Sequence, residues 1–203
     1  VWFSSFWKKQ MQPESRLERQ RKLVAKKRYV VDINVMCNCP PLFYTEGVTL
    51  VMPISVYKGA FRYWDSLLNH PDPGEFERSD IAALCQLMPQ LSTDFIRWQA
   101  QTVERAGGDY YRGKPLLLNG KVRLQLVWAY FSDLLPTEAL SEVIDEDYLL
   151  DCLIAAAEEN APYLVTDETE YIVEDLRREF RLHVPCLDVD DVMKGLRHNR
   201  SNG

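Results

Sequence analysis

Between Tyr29 and Met36 the chain reads Tyr-Val-Val-Asp-Ile-Asn-Val-Met, apolar at most positions in succession and not at every second one. A strand with one wet face alternates, so a continuous β-branched run over Arg28 to Met36 predicts a strand buried on both faces. That is the habit of parallel sheets, whose crossover connections carry helices. The rest of the chain supplies matching segments. Further strands are predicted at Val48 to Met52, Tyr163 to Thr166 and Leu182 to Leu187. Helices are predicted from Pro53 to about Leu68, at Asp147 to Asn160, at Glu170 to Phe180 and at Asp188 to Leu196. Strands separated by helices imply βα crossovers and an α/β fold. In the middle, a helix capped by Ser79, one over Thr93 to Ala106 and one over Lys121 to Leu135 predict a helical insertion at about residues 70–140. The Gly-rich stretch Gly107 to Lys114 reads as a loop.

Asp32 interrupts the first apolar run, and Asp151 stands alone among Leu149, Leu150, Cys152, Leu153, Ile154, Ala155, Ala156 and Ala157. Ionised carboxylates are rarely buried unless paired or bound to a cation, so two such residues in two core elements suggest one shared site. Asp147 lies one helical turn before Asp151 on the same face. Asp167 and Glu168 follow the predicted third strand, at the carboxyl edge where open α/β sheets bind ligands. Converging carboxylates repel one another unless a hard cation neutralises them, and all-oxygen ligands suit Mg²⁺ or Mn²⁺. Such clusters serve phosphodiester hydrolysis, in which one or two metals activate water and offset charge on the phosphate. The alternative is a set of helix caps and surface acids that never meet.

Other chemistries find little support. His70, His183 and His198 stand outside any nucleophile motif, and neither a Walker A loop nor a Gly-x-Gly-x-x-Gly fingerprint occurs. Five cysteines without a paired framework fit a reducing, cytoplasmic setting, and Cys37 and Cys39 sit too close to form half of a zinc ribbon. No apolar stretch reaches the length of a bilayer span, and Val1 to Trp7 lacks the basic lead and cleavage site of a secretory signal. The net charge of −6 conceals a basic arm over residues 1–27, which includes Lys26 and Lys27 and leads into Arg28. Its residues 14–27 are predicted helical, and the charge suits either a solvated amphipathic face or a polyanion or acidic partner. Tyr110, Tyr111 and Arg112, between glycines, are candidate stacking groups for unpaired bases.

Val30-Val31-Asp32-Ile33-Asn34-Val35, then Asp151-Cys152-Leu153-Ile154-Ala155-Ala156-Ala157, then Ala161-Pro162-Tyr163-Leu164-Val165-Thr166-Asp167-Glu168 resembles the PIN-domain family, and Phe180 to Leu196 looks like that family's closing strand and helix. The resemblance covers roughly residues 28–196. It implies a three-layer α/β/α fold around a central parallel sheet of about four to five strands. In this chain that means a basic arm over 1–27, a PIN-like domain over 28–198 and a tail over 199–203. It also implies Mg²⁺- or Mn²⁺-dependent endoribonuclease activity on RNA, single-stranded RNA in particular, with 5′-phosphate and 3′-hydroxyl products. Matched by position, Asp32 and Asp151 would bind metal, Asn34 and Thr166 would orient site groups or water, and Glu168 would stand for the terminal Asp, with Asp147 and Asp167 as accessory ligands. Lys26, Lys27, Arg28, Lys58, Tyr110, Tyr111 and Arg112 would contact RNA. Many small members are toxins held by an antitoxin or act as dimers, so an antitoxin-like partner or a homodimer is expected as well. One departure stands out: Lys58 and Gly59 occupy the place of the Glu that family members carry on the helix after the second strand. A module that binds RNA or a protein without cleaving is the alternative reading.

Overall fold

A computed structural model describes residues 27–57, 59–60, 104–107, 110–118, 120–129 and 147–201. The predicted helix over 14–27 before Lys27, the helices expected from 61 to 103 and the segment 130–146 lie outside the described residues.

The chain is α/β, and among the described residues one mixed sheet has eight strands. Chain order runs β1 (Arg28–Val30), β2 (Thr49–Pro53), β3 (Glu104–Gly107), β4 (Tyr110–Arg112), β5 (Leu116–Leu118), β6 (Val122–Trp128), β7 (Tyr163–Val165) and β8 (Cys186–Asp188). In space the order is β3-β4-β6-β2-β1-β7-β8, with β5 also paired to β6. The stretch β6-β2-β1-β7-β8 is parallel, and β3, β4 and β5 are antiparallel additions. β4 and β5 share the outer edge of β6 end to end, Tyr111 opposite Trp128 and Leu118 opposite Val122.

Among the described residues, four α-helices join or follow these strands: α1 (Ile33–Asn38), α2 (Asp147–Glu158), α3 (Asp167–Glu179) and α4 (Val189–Ser201). A 3₁₀ turn covers Pro40–Tyr44, and residues 54–57 begin another helical stretch after Pro53. α2 packs on β1, β2 and β7, α3 on β7 and α2, and α4 on β8. Tyr29, Val30, Val31, Leu50, Val51, Met52 and Leu164 are fully buried, which accounts for the continuous apolar runs. Among the described residues no helix is long and apolar enough to cross a membrane.

Three sequence expectations are corrected. The first strand stops at Val30 instead of reaching Met36, because Asp32 turns the chain into α1. With extended backbone angles (φ −112°, ψ −174°) it accepts the Val35 N–H at 2.9 Å, an N-cap for which Asp is among the best residues. A short apolar run does not by itself separate strand from buried helix. The second correction concerns the helical insertion: Lys121 to Leu135 holds β6, and 104–118 holds three more strands. Leu124, Gln125, Leu126 and Val127 are buried in succession and only Arg123 and Trp128 are exposed, so both faces of β6 are covered over most of its length. The Gly107 to Lys114 segment is likewise no free loop, since β3 and β4 pair through it. Gly120, at φ +69°, makes the turn from β5 to β6, where the Lys121 N–H reaches the Leu118 carbonyl at 3.0 Å.

The antiparallel edge is tied to the parallel core by charge. Glu159, just past α2, has a side chain only 3% exposed, and its carboxylate pairs with Arg28 of β1 and Arg112 of β4. Arg112 Nε lies 2.6 Å and Tyr110 Oη 3.0 Å from Glu159 Oε1. Arg28 also donates to Gln125 Oε1 at 2.5 Å, and Gln125 Nε2 donates to the Gly113 carbonyl at 2.8 Å, so the one polar residue on the buried part of β6 is satisfied. Burial by itself would raise the Glu159 carboxyl; the hydrogen bonds from Arg28 and then Arg112 overcome it and hold the group below the usual carboxylate range.

A carboxyl lowered by folding contributes stability above its unfolded range and loses it as pH falls through the folded value. Glu159→Gln should therefore cost about 2 kcal/mol near pH 7, with the half-exposed arginines limiting the loss. The difference in urea midpoint between parent and variant should hold down to about pH 5 and shrink below about pH 4. Urea titrations at three pH values check this.

Candidate functional site

The strand order reverses at β1. From β1 the chain moves outward to β2 and β6, then returns to β7 and β8 on the other side. Connections leaving the carboxyl ends of β1 and β7 therefore diverge, and such switch points are where open α/β sheets hold ligands. Asp32 follows β1 there, and Thr166, Asp167 and Glu168 follow β7.

Asp32 is fully buried. Oδ1 accepts the Val35 N–H, and Oδ2 accepts the Tyr163 hydroxyl at 2.5 Å. Tyr163 opens β7 opposite Val30, and its ring carries the hydroxyl along the strand direction to Asp32. α2 crosses above with Asp151, 8% exposed, and Cys152, whose thiol is completely buried with Sγ 3.9 Å from the Val31 carbonyl. Burial pushes the Cys152 thiol well above its ordinary value, and the charges of Asp32 and Asp151 add to the effect. Burial likewise pushes the Tyr163 hydroxyl well up, seconded by Cys152 and Asp32, so at neutral pH it remains a proton donor to Asp32.

Thr166 is buried and N-caps α3. Its N–H donates to Thr169 Oγ1 at 3.1 Å, and the Thr166 carbonyl accepts the N–H groups of Thr169 (3.0 Å) and Glu170 (2.9 Å), fixing the first turn. Asn34 is half-buried in α1, and Asp167 is exposed at the start of α3. Asp147 and Glu168 are placed by their backbones, at the start of α2 and the second position of α3, and their side chains lie outside the described residues.

The donor set suits a hard divalent cation in its chemistry. Carboxylate with hydroxyl oxygens is the ligand type of Mg²⁺ and Mn²⁺. Asp32 and Asp151 would supply the charge and Thr166 a neutral oxygen. Among the described residues, no group of three or more His, Cys, Asp or Glu side chains is gathered closely enough to hold a metal ion.

The nucleic-acid candidates fare differently. Lys26 and Lys58 lie outside the described residues. Lys27 is exposed, in a left-handed conformation (φ +50°), before β1 and thus at the strand end away from Asp32. Arg28 and Arg112 are held by Glu159. Tyr110 is fully buried with its hydroxyl on Glu159, which corrects its reading as a stacking group; Tyr111 is half-buried in β4. Sequence reasoning missed Tyr163 and Glu159. Asp32 lies 131 residues from Tyr163, and the partners of Glu159 lie 47 to 131 residues away, so no local spacing announces such contacts.

No protein-family model matches the chain, and no curated protein matches it significantly.

Asp32→Ala removes an N-cap and an acceptor for a buried phenol, and should lower stability by about 2–4 kcal/mol. Asp32→Asn, which retains one carbonyl oxygen for the Val35 N–H, should lose less than half as much. Chemical denaturation of the two variants, side by side, measures the difference.

Proposed function

We propose that the protein is a PIN-like, metal-dependent endoribonuclease that hydrolyses RNA phosphodiester bonds at the crevice between the carboxyl ends of β1 and β7. What supports the reading is the placement of two buried residues, Asp32 after β1 and Thr166 after β7, beyond the carboxyl ends of neighbouring strands, with α2, which bears Asp151, packed on both strands. The finer architecture belongs to the same reading. Parallel crossovers are right-handed almost without exception, so outward moves β1 to β2 and returning moves β6 to β7 to β8 would put α1 on one face and α2 and α3 on the other, a three-layer α/β/α arrangement.

Asp32, Asp151 and Glu168, with Asp147 or Asp167, would hold Mg²⁺ or Mn²⁺. When bound, the cation supplies an acidified water and offsets the charge that develops on the phosphate oxygens. The chain's own groups do the rest: Asp32 presents an oriented carboxylate, Asn34 and Thr166 offer polar atoms to fix water or substrate, and the apolar packing around Cys152 excludes bulk solvent from behind the site. Single-stranded RNA is the proposed substrate, with the basic arm over residues 1–27 and Lys58 as its electrostatic contacts. An antitoxin-like protein or a second copy of the chain, in a cytoplasmic setting, are the proposed partners.

A second reading, a module that binds RNA or protein without cleaving it, is favoured by Lys58 and Gly59 where the resemblance asks for a Glu. A lysine there would compete with the cation it replaces a ligand for. Calorimetric titration with Mn²⁺ separates the two, because the nuclease binds the ion in the millimolar range or tighter and the module does not.

Asp151→Asn keeps the side chain's shape and removes its charge. Cleavage of single-stranded RNA in Mn²⁺ should fall by roughly 100-fold or more, the scale of losing several kcal/mol of charge stabilisation, with the circular dichroism spectrum unchanged. Cleavage at the parent rate rejects the nuclease assignment.

A further inference from the structure

We infer that Tyr163 is a positioning residue for the catalytic centre, fixing the rotation of the Asp32 carboxylate so that one face of it stays directed at the crevice. The inference rests on the nuclease reading above. It comes from a geometric requirement. The terminal torsion of an Asp side chain is broad and roughly two-fold, so a carboxylate anchored by one oxygen can swing about that anchor. At Asp32 one anchor is the helix cap, Val35 N–H to Oδ1 at 2.9 Å. The second oxygen is caught by the Tyr163 hydroxyl at 2.5 Å, within the range of charge-assisted O–H···O⁻ bonds.

The catch is built into the register of the sheet. Val30 pairs with Tyr163, and Asp32 lies two residues beyond Val30, roughly 6.6 Å along an extended chain, a span that a phenol ring can bridge from the neighbouring strand. Tyr163 is completely buried, so ring and backbone are held by packing and the hydroxyl has little freedom to follow a moving carboxylate. The bond therefore couples β7 to β1 at the point where the site requires fixed geometry. It resembles in kind the outer partners that orient metal-ligating side chains, whose loss typically costs about 10- to 100-fold in metal affinity.

The test titrates Mn²⁺ calorimetrically into the full chain and into Tyr163→Phe and Asp32→Asn, with single-stranded RNA cleavage followed across a Mn²⁺ series and folding checked by urea denaturation. Tyr163→Phe, folded, should bind Mn²⁺ about 10- to 100-fold more weakly, need correspondingly more Mn²⁺ for half-maximal cleavage and leave the KM for RNA unchanged. Asp32→Asn should lose Mn²⁺ binding. If the parent binds Mn²⁺ and cleaves RNA while Tyr163→Phe matches it in Mn²⁺ affinity, the positioning role is overturned and the nuclease reading stands. If the parent neither binds Mn²⁺ nor cleaves RNA, both are overturned. Should Tyr163→Phe fail to fold, 3-fluorotyrosine at position 163 keeps the shape and strengthens the donor; a changed Mn²⁺ affinity is then expected, and an unchanged one overturns the role.

Discussion

A carboxylate with no exposed surface must have its oxygens met inside the protein, and at Asp32 that requirement organises three elements at once. Its Oδ1 starts α1 and its Oδ2 holds the phenol of β7, while its own backbone ends β1. Each neutral donor is worth about 1.5–3 kcal/mol when the acceptor is charged. Leaving either unmet would be costlier in a buried setting than forming it is favourable. The strand could continue past Val31 only by giving up the cap, so the short β1 and the immediate turn into α1 follow from this one side chain. Parallel pairing with β2 on one side and β7 on the other then leaves Asp32 at the central strand's carboxyl end, where the sheet's two halves part.

A covered carboxylate elsewhere in the fold is satisfied differently. Glu159 draws on two guanidinium groups from separate strands, and its carboxyl is held down against the effect of burial. Because Arg28 belongs to the parallel core and Arg112 to the antiparallel edge, the carboxylate acts as a joint between parts of the sheet with different hydrogen-bond geometry. Gln125 serves the same joint from β6, linking Arg28 to the Gly113 carbonyl in the gap between β4 and β5. Positive charge that reads in the sequence as a surface for a polyanion is thus committed, at Arg28 and Arg112, to holding the fold. Any nucleic-acid contact has to draw on other cations.

Much of the parallel core was legible. The continuous apolar runs at β1, β2 and β7 and the apolar face of α2 reflect burial on both sides of a sheet, a pattern that survives without knowledge of partners. The antiparallel edge was not. Along Val122-Arg-Leu-Gln-Leu-Val-Trp128 the alternation is blurred by Gln125, a polar residue made tolerable inside only by Arg28 and Gly113, and the glycines around Tyr110 suggested a loop where a hairpin forms. Asp32 and Asp151 were legible as anomalies because a buried charge violates a compositional rule. Tyr163 and Glu159 were not, because a tyrosine in a strand and a glutamate ending a helix violate none; only the long-range pairing gives them meaning.

The acids after β7 carry less weight than their number suggests. Asp167 and Glu168 open α3, and Asp190 and Asp191 open α4. Carboxylates in a first turn are stabilised by the helix dipole and the unpaired N–H groups, by about 0.3–1 kcal/mol each, with no ion involved. Asp147 at the start of α2 has the same explanation. Asp151 does not, since it sits a turn further along and is buried, on a helix that packs against β1 and β2, and Asp32 does not, since α1 is too short for a dipole to account for a fully buried charge. A divalent ion at the crevice would therefore be held in place by these two residues, and the terminal acids would tune its affinity. Under the proposed reading, Lys58 and Gly59 in the place where the PIN resemblance expects a Glu are tolerable, because Mg²⁺ commonly keeps several waters and takes only one or two protein carboxylates.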